Sequence, residues 1–169
     1  MALEFFEEKD GKKALKQDLF TSIAEDKATK LVKNYYSKEN KGKRNNPTQI
    51  RRFYDEIVTF SNNCEMLMKN TDSDKKERVF QQQLPMIKML IPKVRYAWAR
   101  ELVCKDFVEL ITDSISNLKS YEDIKIFSSF FEAVIGHFKY HLIVDKEVLS
   151  NKNNSNYATH GGNANNKRW

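Results

Sequence analysis

Apolar residues recur at steps of three and four from residue 19 to residue 142, which is the period of amphipathic α-helices. The first apolar stripe predicts helix one and consists of Leu19, Ile23, Ala24, Ala28, Leu31, Val32 and Tyr35. A basic loop follows, because Gly42 and the Asn45-Asn46-Pro47 run interrupt the helical period.

Helix two is predicted to begin at Asn46 and Pro47. Asn caps free N–H groups, Pro is tolerated at the first helical position, and Gln49 at the third position completes a box-like cap. The stripe of this helix consists of Ile50, Phe53, Tyr54, Ile57, Val58, Cys64 and Leu67. Helix two is predicted to end near the polar stretch at 69–74.

Helices three and four are predicted from the stretch at 75–118. Pro85 and Pro92 each remove a backbone donor and clash with the chain one turn back, so we expect a helix start or a kink at both. The stripe of helix three consists of Ile87, Leu90, Ile91, Val94, Ala97, Trp98 and Leu102. The stripe of helix four consists of Phe107, Leu110, Ile111, Ile115 and Leu118.

Helix five is predicted from the strongest amphipathic pattern in the chain, after an N-terminal cap at Ser120 and Asp123. Its stripe consists of Ile124, Phe127, Phe130, Phe131, Val134, Ile135, Phe138 and Leu142. The many large apolar residues of this stripe make helix five the expected anchor of the core.

The two ends of the chain lack helical periods. Residues 1–18 are predicted to be an N-terminal arm without a core of its own, and residues 143–169 a polar, flexible, Asn-rich tail that cannot offset its ordering entropy. Only five glycines and three prolines occur, whereas sheets need frequent turns. The sequence therefore predicts an all-α fold, with a single five-helix bundle at 19–142 between the arm and the tail.

The balance of charge favours polyanionic partners. Lys and Arg number 29 against 23 Asp and Glu, which gives a net charge of +6 and a pI near 9.2. No apolar run reaches the roughly 20 residues of a membrane span, and the first residues do not resemble a signal peptide. We therefore expect a cytoplasmic protein without a membrane partner.

Residue patterns typical of enzymes and metal sites are missing from the sequence. No phosphate-binding glycine loop, nucleophile elbow or H-E-x-x-H motif occurs, so we expect neither an enzyme nor a bound cofactor. His137 and His141 have the spacing of two metal ligands, but no third ligand lies in the same segment, and a pair facing solvent or a partner is favoured. Cys64 and Cys104 lack metal or redox spacing and are expected to be buried free thiols.

The first candidate site lies at the start of helix two. Arg51 and Arg52 occupy its first turns, where the helix dipole is already positive and cations are mildly unfavourable. An anion bound at this helix start would compensate, because free backbone N–H groups and side-chain cations would converge on it, and further side chains lie within reach. These are Lys41, Lys43, Arg44, Thr48 and Gln49. The alternative is a charged helix end in water.

The second candidate site lies in the KVRYAWAR segment at 93–100. Lys93, Tyr96 and Arg100 project from one side of helix three, and Arg95 flanks the apolar stripe. A tyrosine between two cations can stack on a base while the cations hold phosphates. The alternative is that Tyr96 and Trp98 are core aromatics and that Arg100 pairs with a carboxylate.

Four short motifs in this order resemble a known family. They are TQIR at 48–51 after a basic loop, KVRYAWAR at 93–100, KDF at 105–107, and FEAVI at 131–135 followed by Tyr140. Together they resemble the small subunit of type III-A CRISPR effector (Csm) complexes over roughly residues 20–142.

The resemblance implies a non-catalytic five-helix bundle that grips the target RNA strand paired with guide RNA, in antiviral defence. The partners it implies are the guide–target duplex, other copies of the chain, backbone subunits and a large polymerase-nuclease subunit. The RNA-binding residues it implies are Lys43, Arg44, Thr48, Gln49, Arg51, Arg52, Lys93, Arg95 and Arg100. Two alternatives stay open at this point: a helical protein–protein adaptor, and a small subunit like those of type III-B complexes.

Overall fold

A computed structural model describes residues 4–9, 11–37 and 44–158 of the chain. Within these ranges the helices are α1 (Ala24–Tyr36), α2 (Pro47–Lys69), α3 (Lys76–Lys88), α4 (Leu90–Ala99), α5 (Lys105–Ser116) and α6 (Tyr121–Ala158). A π-helical turn at Leu19–Ile23 leads into α1, and a 3-10 turn at Ser73–Lys75 leads into α3. The predicted all-α fold class is confirmed.

The helix starts and breaks follow local chemistry. Asn46 accepts a hydrogen bond from the Thr48 N–H through its Oδ1 at 2.9 Å, with Pro47 at the first position of α2. Ser120 and Asp123 bond each other's N–H groups at the start of α6, as the sequence predicts. Only Met89 separates α3 from α4, because Pro92 lacks the N–H that would bond the Lys88 carbonyl. The stripe predicted for helix three therefore runs from the end of α3 through α4, whereas Pro85 lies inside α3 and does not end it.

The core is aromatic and centres on α6, which packs against α1 and α2, while α5 packs against α4. Phe53 of α2 contacts Phe107 of α5 with ring centroids 5.4 Å apart, and Phe107 contacts Phe131 of α6 at 5.9 Å. Phe127 continues this row of rings at 6.1 Å from Phe131. Burial of apolar side chains, to which these rings belong, is the main favourable term in folding.

The structure differs from the sequence prediction at both ends of the bundle. The predicted arm contains an antiparallel hairpin of β1 (Phe6–Lys9) and β2 (Lys12–Leu15), in which Phe6 pairs with Leu15. Phe5 is 2% exposed and inserts into the bundle core, 5.6 Å from Phe130 between ring centroids. At the other end α6 continues to Ala158, so this part of the predicted tail is helical. Residues 159–169 lie outside the described residues.

Asn45 joins three segments of the bundle. It is fully buried, has a φ of 58°, and its backbone N–H donates to the Leu102 carbonyl. The side-chain Nδ2 donates to the Leu31 carbonyl at 3.1 Å, and Oδ1 accepts from the Cys104 N–H at 2.8 Å. Asn45 therefore fixes the start of α2 against α1 and against the turn between α4 and α5.

Both cysteines are free and buried, as the sequence predicts. Desolvation raises the pKa of the Cys64 thiol and is the largest cause of the raised pKa of Cys104. The Cys64 thiol packs as a small apolar group, whereas the Cys104 Sγ also accepts a hydrogen bond from Asn45 Nδ2 at 3.1 Å.

Replacing Phe5 with Ala tests whether the hairpin is part of the bundle. We expect Phe5→Ala to lower the free energy of unfolding by about 3 kcal/mol, because a buried ring and its packing are lost. Urea denaturation measures the change. Phe20→Ala is the matched control, since Phe20 is more than a third exposed and should cost less than about 1 kcal/mol. Equal stability of the Phe5 variant and the wild type would show that the hairpin does not contribute to the core.

Replacing Asn45 separates its side-chain bonds from its backbone conformation. We expect Asn45→Gly to lower the free energy of unfolding by about 2–4 kcal/mol, since buried groups lose their partners. Asn45→Ala should lower the free energy of unfolding by about 0.5–1 kcal/mol more than Asn45→Gly does, because a positive φ is unfavourable for Ala. Chemical denaturation of the two variants measures both effects, and a Gly variant as stable as the wild type would contradict them.

Candidate nucleic-acid interface

The start of α2 has few free backbone donors. Pro47 has no N–H, the Thr48 N–H bonds the Asn46 side chain, and the Gln49 and Ile50 N–H groups bond the Asn46 carbonyl at 2.9 and 3.1 Å. An anion at this helix start would therefore be held by side chains and not by backbone N–H groups. This differs from the sequence-based expectation that free N–H groups and cations converge on the anion.

The basic residues around α2 differ in whether they have a carboxylate partner. Arg44 forms an ion pair with Glu101 at 2.8 Å, and Arg51 forms one with Asp55 at 2.8 Å while lying over the Tyr54 ring. Arg52 is exposed and forms no ion pair with any described residue. Thr48 is exposed and Gln49 is half-buried. The predicted contacts Lys41 and Lys43 lie outside the described residues.

The face of α4 presents cations and an aromatic ring to solvent. Tyr96 is 65% exposed, which is contrary to the alternative that it is a core aromatic, and the Arg100 guanidinium lies 5.6 Å from the centre of its ring. Lys93 bonds Glu56 of α2 at 2.5 Å. Arg95 is exposed, and neither Arg95 nor Arg100 has a carboxylate partner within the part of the chain that the structure describes.

Two ion pairs bring the two predicted sites together. Lys93 of α4 reaches Glu56 of α2, and Arg44 before α2 reaches Glu101 after α4. The two helices therefore run antiparallel, with Lys93 beside the middle of α2 and Arg44 beside the end of α4. We call the two predicted sites together the α2–α4 surface; its described members are Arg44, Thr48, Gln49, Arg51, Arg52, Lys93, Arg95, Tyr96 and Arg100.

The acidic partners in the α2–α4 surface were not predicted from the sequence. Asp55 follows Arg51 by four residues, a spacing that a search for helical ion pairs would find. Glu56 and Glu101 lie 37 and 57 residues from their partners, so no local pattern indicates those contacts. They require the tertiary arrangement of α2 and α4.

The histidine pair contacts the chain itself. His141 Nε2 lies 3.0 Å from Oε1 of Glu25, and His137 Nε2 lies 3.4 Å from the Phe20 carbonyl oxygen. Within residues 4–9, 11–37 and 44–158, no three His, Cys, Asp or Glu side chains are placed to hold a metal ion. None of the helices in these ranges is long and apolar enough to cross a membrane.

Comparison with protein families gives a match over most of the chain. The model of the Csm2 type III-A family matches residues 16–145, about three quarters of the sequence. No curated protein and no solved structure matches the chain. The matched range begins just after the hairpin and spans the helices through the core part of α6, with the whole α2–α4 surface. The chain therefore belongs to the Csm2 family and is a small subunit of type III-A CRISPR complexes, as its sequence motifs indicate.

Proposed function

We propose that this small subunit grips the backbone of target RNA paired with guide RNA, and that it does so without catalysing a reaction. The observation that supports the proposal is the α2–α4 surface. There Arg52, Arg95 and Arg100 are exposed without an acidic partner among the described residues, beside the exposed ring of Tyr96. Guanidinium groups bind phosphate oxygens in bidentate geometry, so they suit an RNA backbone.

The chemistry of this surface suits sequence-independent binding. Contacts to phosphates position a protein on nucleic acid, and base pairing with a guide supplies sequence specificity. Tyr96 adds a flat ring that can stack on an exposed base or ribose, with Arg100 over the same ring. In the assembled complex, the proposed partners are other copies of this chain, the backbone subunits and the large polymerase-nuclease subunit.

The affinity of the purified subunit for single-stranded RNA should depend strongly on salt. Each phosphate contact contributes about −0.7 to the slope of log K against log salt concentration, so a handful of contacts predicts a slope of about −2 to −4. Fluorescence anisotropy at several salt concentrations measures the slope. A slope near zero would show that phosphates are not bound.

Reversing charge at the start of α2 should remove RNA binding and leave the fold intact. In Arg51→Glu with Arg52→Glu, both side chains are exposed, so the bundle should keep its helical circular dichroism. The control Lys76→Glu with Arg78→Glu changes the net charge equally at the exposed start of α3 and should keep most of the affinity. Unchanged affinity in the α2 variant would remove this surface from the RNA site.

A protein–protein adaptor is the second candidate function. A cleft of about 880 Å³ between α1 and α5 is lined by both carboxylates and lysines, including Asp26, Lys30, Asp106 and Glu109. Tyr140 and Ile143 are exposed on α6. Such surfaces suit protein contacts. Gel filtration with and without RNA separates the two functions, since a pure adaptor elutes at the same volume in both.

A further inference from the structure

Three cations of the α2–α4 surface already have carboxylate partners in the free chain. Arg44 lies 2.8 Å from Glu101, Arg51 lies 2.8 Å from Asp55, and Lys93 lies 2.5 Å from Glu56. The other three, Arg52, Arg95 and Arg100, have none among the described residues. Paired and unpaired cations therefore share one surface.

The three pairs are open to solvent and to a ligand. The Glu101 side chain is 72% exposed, and Asp55 and Glu56 are about half exposed. Exposed ion pairs of this kind contribute little to folding stability, because water screens them and the long side chains lose entropy. A phosphate can therefore take the place of each carboxylate at low cost to the fold.

A displaced carboxylate does not leave the site. Asp55 and Glu56 are adjacent on α2, and Glu101 follows Arg100 directly, so all three remain within the bound surface. Each would then lie near the RNA phosphates and repel them, more strongly at low salt than at high salt. Binding to a paired cation is thus weaker than binding to a free one.

We propose that Asp55, Glu56 and Glu101 are specificity-determining residues that compete with RNA phosphates for Arg44, Arg51 and Lys93. An RNA that reaches only one or two cations cannot offset the displaced carboxylates. An RNA held along the whole surface exchanges all three pairs together and also binds Arg52, Arg95 and Arg100. The inference rests on the proposed RNA-binding function and adds a mechanism by which this surface binds weakly any polyanion that does not also reach the unpaired cations.

The exchange also changes what joins α2 to α4. Lys93 with Glu56 and Arg44 with Glu101 bridge the two segments in the free chain, whereas Arg51 with Asp55 lies within α2. In the bound state, RNA phosphates replace the two bridges. The buried contacts of Asn45 hold the segments in place during this exchange, because they do not involve the ion-paired side chains.

The test compares two triple variants with the same change in net charge. The site variant is Asp55→Asn, Glu56→Gln and Glu101→Gln. The control variant is Asp26→Asn, Glu65→Gln and Glu109→Gln, which removes three carboxylates that form ion pairs with Lys30, Lys69 and Lys105 elsewhere. The probes are a short and a long single-stranded oligouridylate, measured by fluorescence anisotropy at low and high salt.

We expect the site variant to bind the long oligouridylate about tenfold more tightly than the wild type does, from about two- to threefold for each of the three exposed pairs. The gain should be smaller for the short oligouridylate, which reaches fewer of the paired cations, and both gains should shrink at high salt. The control variant should gain about twofold or less. Glu101 is the most exposed of the three carboxylates. Glu101→Gln alone should therefore leave the fold intact and raise the RNA affinity about two- to threefold.

Three results would overturn the inference. Equal gains in both triple variants would mean that only net charge matters. Unchanged or weaker binding of the site variant, with Glu101→Gln behaving in the same way, would mean that the carboxylates only orient the cations. Loss of the proposed function looks different: the wild type and the Arg51, Arg52 charge-reversal variant would bind both probes equally. In that case the carboxylates have no RNA to compete with, and the inference fails as well.

Discussion

Asn45 is buried where α1, the start of α2 and the turn after α4 meet, and its side chain satisfies backbone groups of two other segments. An unsatisfied polar group in this position would cost as much as several surface ion pairs contribute. Asparagine suits the position because it tolerates a positive φ and has both a donor and an acceptor. The juxtaposition of the two halves of the α2–α4 surface therefore depends on this residue.

The turn after α4 also contains a residue with a positive φ, but there the residue is a glutamate, for which this conformation is less favourable. Glu101 has a φ of 60°, and the Leu102 N–H bonds the Ala97 carbonyl while the Glu101 N–H bonds the Trp98 carbonyl. This hydrogen-bond pattern usually has glycine at the position of Glu101, because a side chain is unfavourable there. Glycine would lack the carboxylate that pairs with Arg44. Glu101 therefore both ends α4 and supplies the carboxylate that pairs with Arg44.

Net charge alone describes this protein poorly. A chain with a formal charge of +6 keeps half of the described cations in its α2–α4 surface beside carboxylates. Salt screens each exposed charge beyond about a Debye length. The affinity for a phosphate therefore depends on the ion pairs near it more than on the net charge of the chain. Membership in the Csm2 family makes this chain part of a multisubunit complex.

Local signals account for the parts of the fold that were predicted. Helical periods located the helices, the Ser120 and Asp123 cap located the start of α6, and proline located the break near Met89. The hairpin was missed although an Asp-Gly pair at 10–11 is a sequence signal for a tight turn, because the strands are short and mostly exposed. Phe5 gave no periodic signal, since its partners are residues of α6.

The sequence by itself determined the helical class, the helix faces and the family, because caps, breakers and apolar stripes act between residues a few positions apart. It also identified the two basic segments. Only the tertiary structure decided that these segments lie side by side, that Tyr96 lies in solvent, and that Glu56 and Glu101 pair with distant cations. Such contacts depend on how helix faces pack, and the packing depends on the whole core and not on any local spacing.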